Sequence, residues 1–409
     1  MVRALLLRAR IINATGTQTA SRNDLSVRKM IWLMSWRSNL IRVFGGGAPR
    51  LGEIMSPPDN SFGVLRLAMA SAVLVSHSYL YSAGHSHHEP LFKYTCHSLG
   101  EHAVQVFFIL SGLLVAQSFD RSRNIADFAL ARTLRIFPAL IVCVLLTAFV
   151  IGPIVTSLPL SQYFSSAGLP VYVAKTIALV SASIPLPGVF EDLPLSGLVN
   201  TSLWTLKYEV LCYIGLGLAG LAGLFSYRWR HVSPILVAFF MLFAFLEDPI
   251  SDTNVYTTLQ NVRYFAVFFS AGVLAYLIRD KLVLSIWGVV PLLVAFYYAR
   301  GTILFEVTTA VFFAYTALWA SKFSFGPLRD FCNRFDLSFG VYIYAGPVQQ
   351  MLLDFQPSMT PVAIAVSTFI VAVPLAFLSW VMIEHPALKM RKGLLERLMR
   401  LVGAPSRAL

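Results

Sequence analysis

From residue 61 to residue 386 the chain is a succession of apolar runs, most of them close to the length a helix needs to cross a bilayer. Ten such runs are read, at about 64–81, 103–119, 137–155, 203–225, 233–247, 262–279, 283–299, 302–320, 337–354 and 362–384. This spacing predicts an all-α polytopic membrane protein with ten transmembrane helices. Composition agrees: 57% of the residues are hydrophobic and 13% charged, against roughly 45–50% and about 25% in a soluble domain. A soluble Rossmann-type enzyme, a disordered chain and a disulfide scaffold are thereby excluded. The segment 171–185 is apolar but short, holds Lys175 and ends in Ile184-Pro185-Leu186-Pro187; it is expected as a re-entrant or interfacial piece.

The net charge of +12 is concentrated at the ends. Residues 1–60 carry nine Lys/Arg and three acids, and residues 387–409 carry six and one, so the stretch between them is nearly neutral. By the positive-inside bias both ends are expected on the cytoplasmic side. Loop charge agrees with that orientation. Eleven Lys/Arg fall in the loops it places inside (120–136, 226–232, 279–281, 321–335), and three, Lys93, Lys175 and Arg300, in those it places outside. The chain therefore divides into a basic tail (1–60), a transmembrane domain (61–386) and a second basic tail (387–409). Within the first, Met30 to Phe44 has the pattern of an interfacial amphipathic helix. The partner this charge implies is a lipid surface rather than nucleic acid, since no groove-reading or base-stacking module accompanies it.

In so apolar a chain each intramembrane ionisable group is a candidate for function. Arg66 and His77 lie eleven residues apart in the first run. On a helix that is roughly 16 Å of rise and about 20° of rotation, so both face one side, Arg66 toward the inner end and His77 toward the outer. Singly, each has a plainer reading, a snorkelling arginine and a solvated interfacial histidine. In the second run Ser111-Gly112 reads as a close helix-packing face. Arg132 and Arg135, spaced i, i+3, put two guanidinium forks on one face at the inner boundary, a geometry suited to phosphate oxygens or to simple anchoring. Glu209 precedes a long apolar run behind Trp204, Thr205 and Tyr208, and wants a partner such as His77 or an arginine. Five of the eight histidines crowd the outer loop 82–102, but no metal site is expected there. Cys96, Cys143, Cys212 and Cys332 show no pairing motif.

Together these segments resemble the acyltransferase-3 family of integral membrane O-acyltransferases. The Arg-to-His spacing of eleven is similar to Arg66 and His77. The FFxLSG segment appears as Phe107, Phe108, Leu110, Ser111 and Gly112, and the RxxR-then-Pro pattern as Arg132, Arg135 and Pro138. W-[ST]-L-x-x-E appears as Trp204, Thr205, Leu206 and Glu209, and S-W-x-x-I-E-x-P as Ser379, Trp380, Ile383, Glu384 and Pro386. Two positions depart from the family pattern: Gln105 stands where an acidic residue is often found, and Tyr342-Ile343-Tyr344-Ala345-Gly346-Pro347 lacks the family's histidine.

The resemblance implies transfer of an acyl group, acetyl being the commonest, from cytoplasmic acyl-CoA to a hydroxyl of an exported or surface glycan or lipid-linked sugar. Acyl-CoA is then a substrate, and no permanently bound cofactor is expected. His77 would be the general base or acyl carrier, Glu209 its orienting group or an acceptor ligand, and Arg66 a stabiliser of donor or oxyanion charge. Arg132 and Arg135 would hold the donor's phosphates. The expected location is the inner membrane, with the acceptor side facing the periplasm or exterior. The alternative class is a glycan transporter or flippase, for which the same intramembrane charges would line a pathway.

Overall fold

The computed structural model describes residues 47–55, 60–95, 97–122, 124–246 and 258–401. The expected amphipathic segment 30–44 lies outside the described residues. Backbone in hydrocarbon has to satisfy its own N–H and C=O groups, and without a closed barrel only helices do so. Among the described residues the architecture is helical throughout, with only two isolated β-bridges between loops. The principal helices are α1 (Phe62–Ala83), α2 (Leu99–Arg121), α3 (Ile125–Leu146), α4 (Gly168–Ile177), α5 (Leu206–Leu221), α6 (Ser233–Leu246), α7 (Thr258–Leu277), α8 (Ile286–Tyr298), α9 (Phe305–Ser321), α10 (Ser338–Phe355), α11 (Pro361–Ser379) and α12 (Arg391–Leu401).

A helix lies over each of the ten apolar segments, and among the described residues four helical stretches are long and apolar enough to cross a membrane: Phe62–Ala83, Leu99–Arg121, Ile125–Val155 and Pro361–Leu401. The third begins at Ile125 rather than near residue 137, because Asn124 caps it, accepting from Asp127 N at 2.8 Å. Arg132, Arg135 and Pro138 therefore lie within one helix instead of in a loop before it. The segment from 171 is covered by α4, which buries Leu169, Tyr172 and Thr176 and packs against α3.

Two of the long stretches contain a π-helical turn, Thr147–Ile151 and Trp380–Glu384. Each is followed two residues later by proline, Pro153 or Pro386. A proline ring clashes with the carbonyl four residues back and offers no N–H, and a locally widened turn absorbs both defects without ending the helix. Large apolar side chains such as Phe239 and Phe243 on α6, Trp287 and Leu293 on α8, and Val366 and Ile370 on α11 remain exposed. An outer surface of this kind suits lipid rather than water.

Inside, α1 packs against α2, α10 and α11, while α2 and α7 form the most intimate pair. They cross at Gly112 and Gly272. A Cβ added to Gly112 would stand 1.9 Å from Phe269 O, and one added to Gly272 1.9 Å from Ile109 O. The small-residue face expected from Ser111-Gly112 is thus a crossing in which backbone touches backbone. Phe108 stacks on Phe265 beside it at 4.4 Å, so the crossing also sets which aromatic rings line the space beyond. Gly272→Ala is expected to force α2 and α7 apart and to destabilise the protein by about 1–3 kcal/mol or more, measurable as a lower thermal midpoint in mild detergent.

Candidate active site

A cavity of about 110 Å³ opens where α1, α2, α3, α5 and α10 converge. Its wall takes Arg66 from α1, Phe107 and Ser111 from α2, Arg132 and Arg135 from α3, Glu209 and Tyr213 from α5, and Ser338 and Tyr342 from α10, with Thr205 at the start of α5. Three guanidiniums, one carboxylate and the hydroxyl-bearing side chains of Ser111, Thr205, Ser338, Tyr213 and Tyr342 line a space otherwise bounded by aliphatic groups and phenylalanine rings.

Arg135 is held at both forks: Nη1 donates to Glu384 Oε2 at 2.9 Å and Nη2 to Asp336 Oδ2 at 2.8 Å. Arg66 Nη2 reaches the same Asp336 oxygen at 3.2 Å, and Ser338 Oγ donates to the other at 2.7 Å. Glu384 is held in turn by Ser379 Oγ at 3.1 Å, so the arginine pair on α3 and the S-W-x-x-I-E-x-P segment form one cluster. Burial alone would raise the Asp336 carboxyl, but the Arg135 and Arg66 guanidiniums overcome it and hold the group down at about 2.

The other two arginines are less fully engaged. Arg132 Nη2 meets Ser118 Oγ at 3.3 Å and its guanidinium lies 5.8 Å from the Tyr213 ring centre. The Nε–H groups of Arg66 and Arg132 are both buried without a hydrogen-bond partner. A buried donor left unmade costs free energy, and both belong to side chains that line the cavity.

Glu209 does not pair with His77. Its Oε1 accepts from the Tyr213 hydroxyl one helical turn on, and Ser111 Oγ lies 3.2 Å away. His77 is half-buried beyond the cavity wall, with Nδ1 3.4 Å from Ser202 Oγ and its ring edge-on to Tyr81. The 3-10 turn Thr201–Thr205 joins the two places. Asn200 caps it, accepting from Ser202 N at 3.2 Å. Tyr81 OH lies 2.9 Å from Thr201 Oγ1, and Thr205 Oγ1 lies 2.6 Å from Tyr342 OH on the cavity. Ser202 thus faces His77 while Thr205 faces the cavity, with Trp204 between them in sequence and partly exposed.

Asp336, Tyr213 and Ser202 were missed as site residues. Tyr213 had a signal, being four residues after Glu209 on the same helical face. Asp336 had none, since it is 201 residues from Arg135 and 270 from Arg66. Gln105, in place of the family's acid, is buried and linked to His102 Nδ1 at 2.9 Å and Tyr264 OH at 2.5 Å. A neutral amide can both accept and donate there, which a carboxylate cannot.

Outside the cavity, His97 anchors the loop between α1 and α2. Nε2 lies 3.3 Å from Glu306 Oε1 on α9 and Nδ1 lies 3.7 Å from Glu101 Oε2 on α2, with His102 and Phe305 against the ring. Burial lowers its pKa, but the two carboxylates outweigh that and lift it from near 6.5 to about 10. The stabilisation is therefore complete below pH about 6.5 and lost as pH rises through about 10. The thermal midpoint of the wild-type protein is expected to fall between pH 7 and 10 more than that of His97→Gln. At neutral pH, Asp336→Ala strands two guanidiniums and is expected to cost about 3–5 kcal/mol, read from unfolding in detergent.

Residues 59–381 match the model of the Acyl_transf_3 family, described as an acyltransferase domain. An O-acetyl transferase of Shigella phage Sf6 is 33% identical over 336 residues, covering 80% of this chain and 95% of that protein. Nodulation protein 10 of Rhizobium leguminosarum bv. viciae is 28% identical over 380 residues, covering 84% of this chain and 97% of that protein. No solved structure matches the chain.

Proposed function

The chain belongs to the acyltransferase family of integral membrane proteins and is an O-acyltransferase, and from that premise we propose that it moves an acetyl group from cytoplasmic acyl-CoA to a hydroxyl of an exported glycan or lipid-linked sugar. The observation that carries this reading is the cavity on which Arg66 and Arg132 each keep a buried Nε–H without an acceptor. Guanidinium donors of that kind match the oxygens of a phosphate or of a developing oxyanion. The printed function of the phage relative, acetyl transfer to oxygen, supports the choice of acetyl.

In this reading ten helices span the inner membrane, with both basic ends cytoplasmic and the acceptor side facing outward. Acyl-CoA enters from the cytoplasm. Arg132 holds a donor phosphate together with Arg66, and Arg135, whose forks already grip Glu384 and Asp336, fixes the slope of α3 that presents Arg132. The acyl-bearing arm passes the Thr205–Tyr342 contact toward His77. Ser202 Oγ accepts from Nδ1–H, which leaves Nε2 free to take a proton. His77 removes the acceptor hydroxyl proton as that oxygen attacks the thioester carbonyl. The C–S bond then breaks, and the departing CoA thiolate takes the proton from His77. Glu209, tied to Tyr213 and Ser111 rather than to His77, binds acceptor or donor hydroxyls from the cavity wall.

Mass spectrometry of surface glycans from cells carrying each variant tests the assignment. His77→Ala is expected to lower ester-linked acylation by about 10²–10⁴-fold while the protein still inserts into the membrane. Arg132→Ala is expected to raise the KM for acyl-CoA, with Arg132→Lys intermediate because an ammonium supplies charge without the fork. Unchanged acylation in His77→Ala overturns the role of the histidine. Loss of the whole glycan, instead of its acyl group, points to a flippase.

A further inference from the structure

A second cavity, of about 190 Å³, lies on the other side of the Thr201–Thr205 turn. Its wall joins the end of α4 and the segment after it to the start of α5, through Thr176, Ser181, Ser183, Trp204, Lys207 and Tyr208. Three features set it apart from an ordinary packing gap. Thr176 is only 2% exposed, yet its hydroxyl has no hydrogen-bond partner. Leu179, on the same wall, has a φ of +56°, a conformation that a leucine adopts only when its surroundings impose it. Lys207 is half-buried, and among the described residues its ammonium meets no carboxylate; its close neighbour is the Tyr208 ring, 4.9 Å from Nζ.

We infer that this cavity is the acceptor subsite, and that it takes a sugar ring bearing a carboxylate. The inference rests on the proposed acyl transfer to a glycan and adds the place and the charge of the acceptor. Trp204 is 43% exposed and held edge-to-face against Tyr208 at 5.6 Å, so it presents a fixed aromatic surface on which a sugar ring can lie. The hydroxyls of Thr176, Ser181 and Ser183 both donate and accept, as a sugar's own hydroxyls require. Lys207 supplies the single positive charge, and an anion there gains a charge-assisted hydrogen bond in a setting of little competing charge. The subsite is also next to the chemistry. Trp204 lies between Ser202, which meets His77, and Thr205, which meets the first cavity. A sugar seated on Trp204 is therefore separated from the proposed base by a single turn of chain.

The test is direct binding to the purified full-length protein in detergent. An oligomer of glucuronic acid and a neutral glucose oligomer of equal length are titrated separately, with tryptophan fluorescence as the signal. The glucuronic acid oligomer is expected to bind at least tenfold more tightly than the neutral one. Lys207→Gln is expected to abolish that preference, and Trp204→Phe to weaken both oligomers and reduce the fluorescence change. Thr176→Val, which keeps the volume and removes the hydroxyl, is expected to weaken both without changing the preference. Equal binding of the two oligomers by the wild-type protein, no binding of either, or an unaltered preference in Lys207→Gln overturns the inference. In the glycan assay the two readings separate. Acylation lost in His77→Ala but unaffected in Lys207→Gln and Trp204→Phe sinks the subsite alone. Tight binding of the acidic oligomer by a protein whose His77→Ala variant still acylates leaves the subsite standing and sinks the base.

Discussion

Arg135 is the point on which one end of the helix cluster depends. A guanidinium this deep is tolerable only if its charge is matched and its fork filled, and Glu384 and Asp336 do both. The carboxylates come from far along the chain, one from the π-helical turn after α11 and the other from the loop before α10. Satisfying one side chain thus fixes α3, α10 and α11 relative to each other. Asp336 extends the tie to α1 through Arg66. Helices α1, α3 and α10 around the first cavity are in this way clamped at one end by charge, while α2 is clamped to α7 by the close approach of Gly112 and Gly272 to the facing backbone.

Those two devices leave a particular remainder. Arg66 and Arg132 are carried to the cavity wall by helices whose positions are set by other contacts, and each arrives with a donor unmet. Such groups are costly for folding and useful for binding, because an incoming oxygen finds its hydrogen-bond donor already oriented and already stripped of water. In the proposed reaction this is where the donor's charge is received. His77 is not on that wall, and the turn Thr201–Thr205 relates the two places by facing Ser202 one way and Thr205 the other. The W-T-L-x-x-E segment is therefore more than a source of one carboxylate: it is the partition between the two cavities, with Trp204 on one side and Glu209 on the other.

Much of this was legible from residue order. Apolar run length located a helix at every expected segment, and the Ser111-Gly112 pair correctly signalled a close crossing on α2. Where the reading fell short, the reason was specific. The start of α3 was placed too late because hydropathy alone does not register Asn124 as a cap. Glu209 was expected to seek His77 or an arginine, but a hydroxyl four residues along its own helix is nearer than any distant partner. Ser202 and Asn200 gave no sign, as ordinary polar residues before an apolar run.

By itself the sequence determined that the chain is helical and suited to lipid, and which few ionisable residues must find partners. It could do so because hydrophobicity, helical period and charge are properties of residues and their near neighbours. Only the tertiary structure decided which arginine is spent on holding the fold and which two keep a donor to spare. Arg66, Arg132 and Arg135 are the same side chain in similar apolar surroundings, and they differ only in which carboxylates the folded chain brings to them. That is settled across separations of up to 270 residues, by packing that no local pattern encodes.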